Sequence, residues 1–319
     1  MSSRTDQTSL WPTTPFVKTR LRQSLPSDIE SWAASNFHNG FPVFVSSGRA
    51  AISMICKLLN NQKAVGLFPF ASQCVVNAFS INGISTYTAK NLETSQQLVY
   101  HQWGYELRQL SFKPLIEDSV DSLYKLGASV RSLDSRFEIW SFSKILGTFS
   151  GGLVWCRSEE DANQLRLLVE KTPCHKAWFK FLLKKMMRVF PKLIYSKWEK
   201  YELSYFNLTS YEIGEINSII DRWGELWEIR LNQIRSLEDD LKTFGFKEIL
   251  DWATTNQLPQ RLPAALCVTA HDPELELRMN MSATRSLILH RVWIENSEYK
   301  FRRVILIPIH HHALYSPKI

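Results

Sequence analysis

Between residues 43 and 156 the sequence returns repeatedly to short apolar runs: VFVSS (43–47), VGLFPF (65–70), ISTYTA (84–89), QLVYHQ (97–102), PLIEDS (114–119), FEIWSF (137–142) and GLVWC (152–156). Several are apolar nearly throughout rather than alternating. Such strands need cover on both faces, the condition of a mostly parallel sheet flanked by helices. Helical spacing fills some of the gaps. GRAAISMICKLLN (48–60) repeats apolar residues at three- and four-residue intervals. SQCVVNAFSING (72–83) starts at a serine able to cap and stops at Asn82-Gly83. Strands alternating with helices predict an α/β domain with a largely parallel central sheet.

Beyond 156 the pattern becomes more helical. SEEDANQLRLLVEK (158–171) opens on Ser158 as an N-cap with acids in its first turn. Residues 210–245 read as a long helix, broken near Gly224 and ending at Gly245. A smaller C-terminal α/β unit follows, with strand candidates AALCVTA (264–270), SLILHRVWI (286–294) and RVILIPI (303–309). The expected organisation is a large domain over 1–225 and a small domain over 226–319. Residues 1–20, Ser/Thr-rich with two prolines, read as an irregular arm.

Composition removes several classes. The chain has 319 residues, enough to bury a substantial core. Its five cysteines, at 56, 74, 156, 174 and 267, form no CxxC pair. That dispersed odd set, without a leader-type segment, points to a reducing cytoplasm. The eight histidines show no HExxH or Cys/His grouping, so no metal site is expected. No apolar stretch reaches the roughly 18 residues of a membrane span. The net charge of +7 is local: Lys176, Lys180, Lys184, Lys185, Arg188, Lys192, Lys197 and Lys200 face one acid, Glu199, within 175–200.

Three polar groups fall at predicted strand ends, where ligands of open α/β sheets gather. SSGRAA (46–51) ends a strand and opens a helix. Free N–H groups and the helix dipole favour an anion there, typically phosphate. LIEDSVDS (115–122) delivers Glu117-Asp118 at a strand end, where a carboxylate could meet a metal, a ribose hydroxyl or a protonated ring nitrogen. SFSKILGTFSGG (141–152) places Lys144 between Ser141, Ser143 and a glycine-rich turn. A lysine amine can condense with an aldehyde. An anion cradle, an acid for a pyridinium nitrogen and a lysine for an aldehyde are together what pyridoxal phosphate requires.

These residues carry a resemblance. The chain is similar to the sugar aminotransferases of the DegT/DnrJ/EryC1/StrS type, whose fold is the fold-type I, aspartate aminotransferase-like architecture. VSSGRAAI resembles that family's Ser-Gly loop, LIEDSVDS its Glu-Asp strand end and SFSKILGTFSGGLVW its lysine segment. EIGEINSIIDRWGELWEIRLNQI resembles its long helix, and RVILIPIH its C-terminal Leu-Pro-x-His strand. The resemblance spans roughly 40–319. It implies that Lys144 is the catalytic, cofactor-linked lysine and that Asp118 partners the pyridine nitrogen. It implies that Ser47, Gly48, Arg49 and Ser141 hold the phosphate. Asp121 stands where the family usually has His or Gln near the phenolic oxygen. Where the family stacks an aromatic on the cofactor ring, this chain offers Gln73 and Cys74, with Phe70 earlier. The last two assignments are departures from the family pattern.

The resemblance further implies a cytoplasmic homodimer that aminates a keto sugar attached to a nucleotide. Glutamate or glutamine would be the donor, and the products building blocks of surface polysaccharide, lipopolysaccharide among them. Nucleic acid is not an expected partner. A second reading keeps the fold without the catalysis: a membrane-peripheral binding or scaffold protein with a degenerate cofactor site. A third, sugar dehydration, uses histidine in place of the lysine, and Lys144 argues against it.

The basic segment 174–200 bears on these alternatives. Lys176, Lys180, Lys184, Arg188 and Lys192 recur every four residues, a single stripe of cations if helical, with Trp178, Phe179, Leu182 and Leu183 beside it. Like charges at that spacing cost a helix a few tenths of a kcal/mol per pair. An anionic membrane surface returns about 1 kcal/mol per basic residue, so the inner face of the membrane is a candidate partner, the diphosphate of a nucleotide sugar a second, and a solvated basic face the plain alternative. If lipid is the partner, liposomes rich in anionic lipid pellet the protein, and changing the five stripe residues to Gln abolishes pelleting. Equal pelleting of parent and variant removes the membrane reading.

Overall fold

The computed structural model describes residues 11–12, 23–68, 71–88, 96–106, 110, 112–174, 186, 197, 207–243, 247–248, 260–269, 291–295, 298–302 and 305–311. The five stripe cations and Phe70 lie outside the described residues. The first half runs α1 (Pro26–Asn36), β1 (Phe41–Val45), α2 (Gly48–Leu58), β2 (Ala64–Leu67), α3 (Gln73–Ile81), β3 (Ser85–Thr88), β4 (Gln97–Tyr100) and β5 (Ile116–Asp118). Then come β6 (Leu123–Tyr124), β7 (Phe137–Ser141), the short α4 (Phe142–Ile145), β8 (Gly152–Cys156) and α5 (Glu159–Glu170). Beyond the basic segment lie α6 (Ser210–Ile220), α7 (Trp223–Thr243), β9 (Lys247–Glu248), β10 (Arg261–Leu262), β11 (Ala265–Thr269), β12 (Arg291–Glu295), β13 (Glu298–Arg302) and β14 (Ile305–Pro308).

Seven strands form the central sheet in the order β1-β8-β7-β5-β4-β2-β3. Strands β3, β2, β4, β5 and β7 are parallel neighbours. Strand β8 runs antiparallel to both β7 and β1. The largely parallel sheet read from the sequence is therefore present, with an antiparallel edge. The reason is chain length: the connection from β7 to β8 through 142–151 is too short for a helical crossover.

The sheet is covered on both faces, as its apolar strands require. On one face Val43, Val45, Phe137, Ile139 and Val154 pack against α2, α3 and α5. On the other, Phe44, Trp140, Leu153 and Trp155 pack against α1, α4, α6 and α7. The second face is built on aromatics. Phe37 lies 5.0, 6.0 and 5.9 Å, ring centre to ring centre, from Trp140, Trp155 and Trp223, all edge-on. Edge-to-face pairs add about 0.5–1.5 kcal/mol each beyond burial.

Local chemistry explains the helix limits. Ser158 accepts from Asp161 N and starts α5 as read. Thr209 and Glu212 form a reciprocal capping box at α6. The break in the long helix falls at 221–222, just before Gly224. Ser72 differs from expectation. It occupies the cap position of α3, but its hydroxyl meets Cys74 Sγ at 2.9 Å and caps no backbone group.

Smaller sheets tie the C-terminal part to this frame. Strand β10 pairs with β6, Arg261 opposite Tyr124 and Leu262 opposite Leu123. Strand β11 lies between β14 and β9, and β12 pairs with β13. Ala264 N donates to the Trp103 carbonyl at 2.8 Å. The C-terminal chain thus crosses directly behind the end of β4. Among the described residues no helix is long and apolar enough to cross a membrane.

The tightest backbone contact lies where β8 begins. A Cβ on Gly152 would stand 2.6 Å from the Trp140 carbonyl oxygen, 3.1 Å from Ser47 C and 3.2 Å from Gly48 N. These are backbone atoms that cannot swing aside. Gly152→Ala is expected to destabilise the fold by about 1–3 kcal/mol, read as a lowered midpoint of denaturant unfolding with unchanged slope.

Candidate active site at the strand ends

The carboxyl ends of β1, β5 and β7 converge, and each delivers one of the groups singled out in the sequence. At β1, Ser47 caps α2, its Oγ accepting from Ala50 N at 3.1 Å. Gly48 opens the helix against both other strand ends: a Cβ there would lie 3.0 Å from Val120 Cγ1 and 3.4 Å from Ser141 Cβ. A side chain would fill the space beside the helix N-terminus, so glycine keeps open a cradle lined by N–H groups and the Ser141 hydroxyl. Arg49 follows in the first turn, half-buried. Ser141 Oγ lies 3.1 Å from Ser143 Oγ.

The glycine-rich turn after Lys144 closes this arrangement. Gly151 N donates to the Ser46 carbonyl at 2.7 Å, and Phe142 N donates to the Gly151 carbonyl at 3.0 Å. One residue thereby clips the end of β1 to the start of α4. Gly151 holds φ at +98°, a conformation that suits glycine.

At β5 the two carboxylates part company because successive strand residues face opposite sides. Glu117 turns into a buried structural network. It accepts from Leu133 N and Ser135 N, both at 3.2 Å, and meets His101 Nε2 at 3.0 Å. Burial pushes this carboxyl upward, but the His101 hydrogen bond and charge, with Ser135 and Arg261, hold it below its ordinary value. Glu117 is therefore a fixed anchor of the strand rather than a ligand-facing acid.

Asp118 faces the site. It is 4% exposed and accepts only from Val120 N at 3.2 Å among the described residues. Burial raises its pKa from 3.8 to about 7; Lys144 opposes this and Asp121 reinforces it. A buried acid with one hydrogen bond suits a cationic partner such as a protonated ring nitrogen.

Lys144 sits in α4 at the end of β7 and is partly covered, with a third of its side chain exposed. Its Nζ lies 3.3 Å from Asp121 Oδ1. Asp121 is fully buried and is the hub of the site. Trp11 Nε1 donates to Oδ1 at 2.6 Å, and the Tyr100 hydroxyl donates to Oδ2. Burial and the nearby charges of Asp121 and Asp118 push the Tyr100 phenol well above its usual range, so it stays protonated. Gln73 is exposed on α3 and donates its amide to Asn77 at 2.8 Å.

Three residues of this neighbourhood escaped the sequence reading. Tyr100 ends β4, beside the end of β5, and the strand-end rule applied to QLVYHQ would have found it. Arg230 is fully buried on α7 between Leu226 and Ile234. A lone cation inside an apolar stripe at helical spacing was its signal. Its Nη2 donates to the Ile145 carbonyl at 2.7 Å, while Nε and Nη1 have no hydrogen-bond partner among the described residues. Burial lowers its pKa to about 10, against the supporting charge of Asp121. Trp11 had no sequence signal at all.

The donor set fits pyridoxal phosphate: a glycine-opened cradle at a helix N-terminus, a buried acid and a lysine meet at adjoining strand ends. Comparison with known proteins agrees. Residues 29–259 match a family whose description reads "Putative PLP-dependent aminotransferase". That is well over half of the chain, and the protein belongs to this family of pyridoxal-phosphate-dependent aminotransferases. No curated protein sequence matches it.

Solved structures share the fold. PseC of Helicobacter pylori, an aminotransferase involved in the biosynthesis of pseudoaminic acid, superposes with a TM-score of 0.59 at 12% identity, over 93% of this chain and 88% of that one. A DegT DnrJ EryC1 StrS aminotransferase from Brucella abortus gives 0.55 at 11% identity, over 91% and 87%. The sugar aminotransferase CalS13 from Micromonospora echinospora gives 0.51 at 15% identity, over 84% and 82%. The resemblance read from the sequence thus holds in three dimensions, and the architecture is fold type I.

The Asp118 shift has a consequence for stability. Its folded value, about 7, lies above its unfolded value near 3.8, so the folded state binds the proton more tightly. The associated stability is present below the unfolded value and is lost as pH rises toward 7. The cofactor-free protein should therefore melt at progressively lower temperature between about pH 4 and pH 7. Asp118→Asn should flatten that slope, leaving what Glu138, also raised by burial, and His101, lowered by burial, contribute.

Proposed function

We propose that this aminotransferase acts on a keto sugar, nucleotide-linked, with glutamate or glutamine as amino donor and surface polysaccharide precursors as products. The observation that carries the reading is the placement of Lys144 and Asp118 at adjoining strand ends beside the Ser47–Gly48 helix N-terminus. The sugar class is supported by structural neighbours whose names describe sugar aminotransferases. That support is one of fold, and the nucleotide is inferred from the chemistry of such substrates. We further propose a homodimer, a cytoplasmic location and a division into domains at 225/226.

Each residue of the site has a task in this scheme. Ser47, Gly48 and Ser141 hold a phosphate by N–H and hydroxyl donation, with the dipole of α2 behind them and Arg49 in its first turn. Asp118, once ionised, holds a proton on a ring nitrogen and so favours the cofactor's electron-accepting form. When bound, pyridoxal phosphate supplies the aldehyde for Lys144 and the electron sink for the bond being broken. Lys144 Nζ would be the group that holds and moves a proton at the reacting carbon of the substrate. Asp121 keeps Nζ near that position, with Tyr100 fixing its second oxygen. Arg230 holds the Ile145 carbonyl and with it the backbone next to Lys144. Phe70 and Gln73 remain proposed neighbours of the ring.

The catalytically degenerate alternative draws on one observation: Asp121, where the family has His or Gln, already holds Lys144. Colour separates the two readings. Cofactor-free protein mixed with pyridoxal phosphate should turn yellow, and borohydride should fix the cofactor on Lys144, located by peptide mass spectrometry. Lys144→Ala should bind without fixation and lose amino transfer from glutamate by about 10³-fold or more. A parent protein that stays colourless and takes up no label would overturn the catalytic reading.

A further inference from the structure

Lys144 is not placed like a turn lysine reaching into water. Its Nζ stands 4.7 Å from the centre of the Trp11 indole ring. The indole N–H donates to Asp121 Oδ1 at 2.6 Å, and the same oxygen lies 3.3 Å from Nζ. The amine is thus bordered by a buried carboxylate and by an aromatic face, and the two are joined by their own hydrogen bond. Asp121 cannot drift, because the Tyr100 hydroxyl donates to its other oxygen. The Tyr100 oxygen in turn accepts from Trp103 N at 3.3 Å. Trp11 comes from 110 residues away in sequence, so no local chain geometry forces this contact. Its neighbour Pro12 is buried, which seats the chain where the indole reaches Lys144.

Both borders act on the amine in the same sense. A carboxylate favours the ammonium by charge, and an aromatic face attracts a cation but not a neutral amine. Attack on an aldehyde needs the neutral amine and a clear approach to it. The indole therefore opposes the reaction by occupying one side of Nζ.

We propose that Trp11 is a positioning residue of the site: its indole holds Lys144 against Asp121 and covers one side of Nζ, and an incoming aldehyde must displace the indole to reach Nζ. This rests on Lys144 being the reactive lysine. The chain then carries an internal occupant of its own reactive position, which keeps the amine from condensing with stray carbonyl compounds until the cofactor competes for the space.

The test reads the amine directly. Full-length protein without cofactor is treated with formaldehyde and cyanoborohydride, and methylation of each lysine is followed by peptide mass spectrometry. Trp11→Ala should speed methylation of Lys144 on the order of tenfold, the scale of a partly desolvated cation–π contact. Lys63 and Lys125, which lie elsewhere, should react at unchanged rates and so report that the variant is folded. Trp11→Phe, which keeps a ring but loses the N–H, should fall between. A chain lacking residues 1–12 should behave as Trp11→Ala does, which guards against an effect of one substitution alone. An unchanged or slower rate at Lys144 in both overturns the proposal.

Pyridoxal phosphate provides the second arm. Its capture, followed by absorbance, should be faster in Trp11→Ala than in the parent. Slower capture would mean that the indole holds the cofactor instead of yielding to it, and would overturn the proposal. Failure of every variant and the parent to capture the cofactor would overturn the cofactor reading of the site, while the methylation comparison would still decide the role of Trp11.

Discussion

The site depends on one close approach, between the start of β8 and the end of β1. At Gly152 the backbone lies so near the Trp140 carbonyl and the Ser47–Gly48 peptide that no side chain fits. Gly151, one residue earlier, donates to Ser46 and accepts from Phe142. Together the two glycines bring the N-terminus of α2, the end of β7 and the turn after Lys144 within contact of one another. A parallel sheet alone would set β1 and β7 one strand apart, with β8 between them. It is the antiparallel insertion of β8, with glycine at its first position, that lets the flanking strand ends meet over it.

Around that junction the protein tolerates an arrangement of charges that burial alone would not permit. Asp118 and Asp121 are both buried within a few residues of each other, and the charge of Asp121 raises the cost of ionising Asp118. The cations are Lys144, in direct contact with Asp121, and Arg230, whose charge Asp121 supports through space. Asp121 takes the direct contact with Lys144 and two hydrogen-bond donors; Asp118 feels Lys144 only through space and is left with one backbone N–H and a pKa near 7. The two carboxylates therefore differ in kind. One is held by several groups of the protein, and the other by a single backbone N–H.

Much of this was legible in the sequence, for specific reasons. Apolar runs without alternation announced a sheet covered on both faces, and the structure covers it on both. SSGRAA, IEDS and SFSK each ended such a run, so the strand-end rule placed Gly48, Asp118 and Lys144 correctly. The antiparallel edge was less visible, because pairing direction is set by connection length and not by composition. Ser72 misled because capping depends on the rotamer of one hydroxyl, and here a neighbouring sulfur competes for it. Tyr100 and Arg230 left readable traces, a strand-end phenol and a cation within an apolar stripe. Trp11 left none, since a contact across 110 residues has no periodicity to betray it.

Asp121 shows how a local departure can be absorbed by its surroundings. Read along the chain, a carboxylate where the family has His or Gln would repel the phenolic oxygen of the cofactor. That argument assumes a free negative charge. In the folded protein one oxygen of Asp121 receives the indole N–H and the Lys144 ammonium, and the other receives the Tyr100 hydroxyl. A carboxylate so supplied presents less unshielded charge, and the Tyr100 hydroxyl, held protonated by its burial, has its one hydrogen committed to it. How Asp121 meets a bound group is therefore set by which of these donors the group displaces, and Trp11 and Lys144 share the oxygen that would change hands.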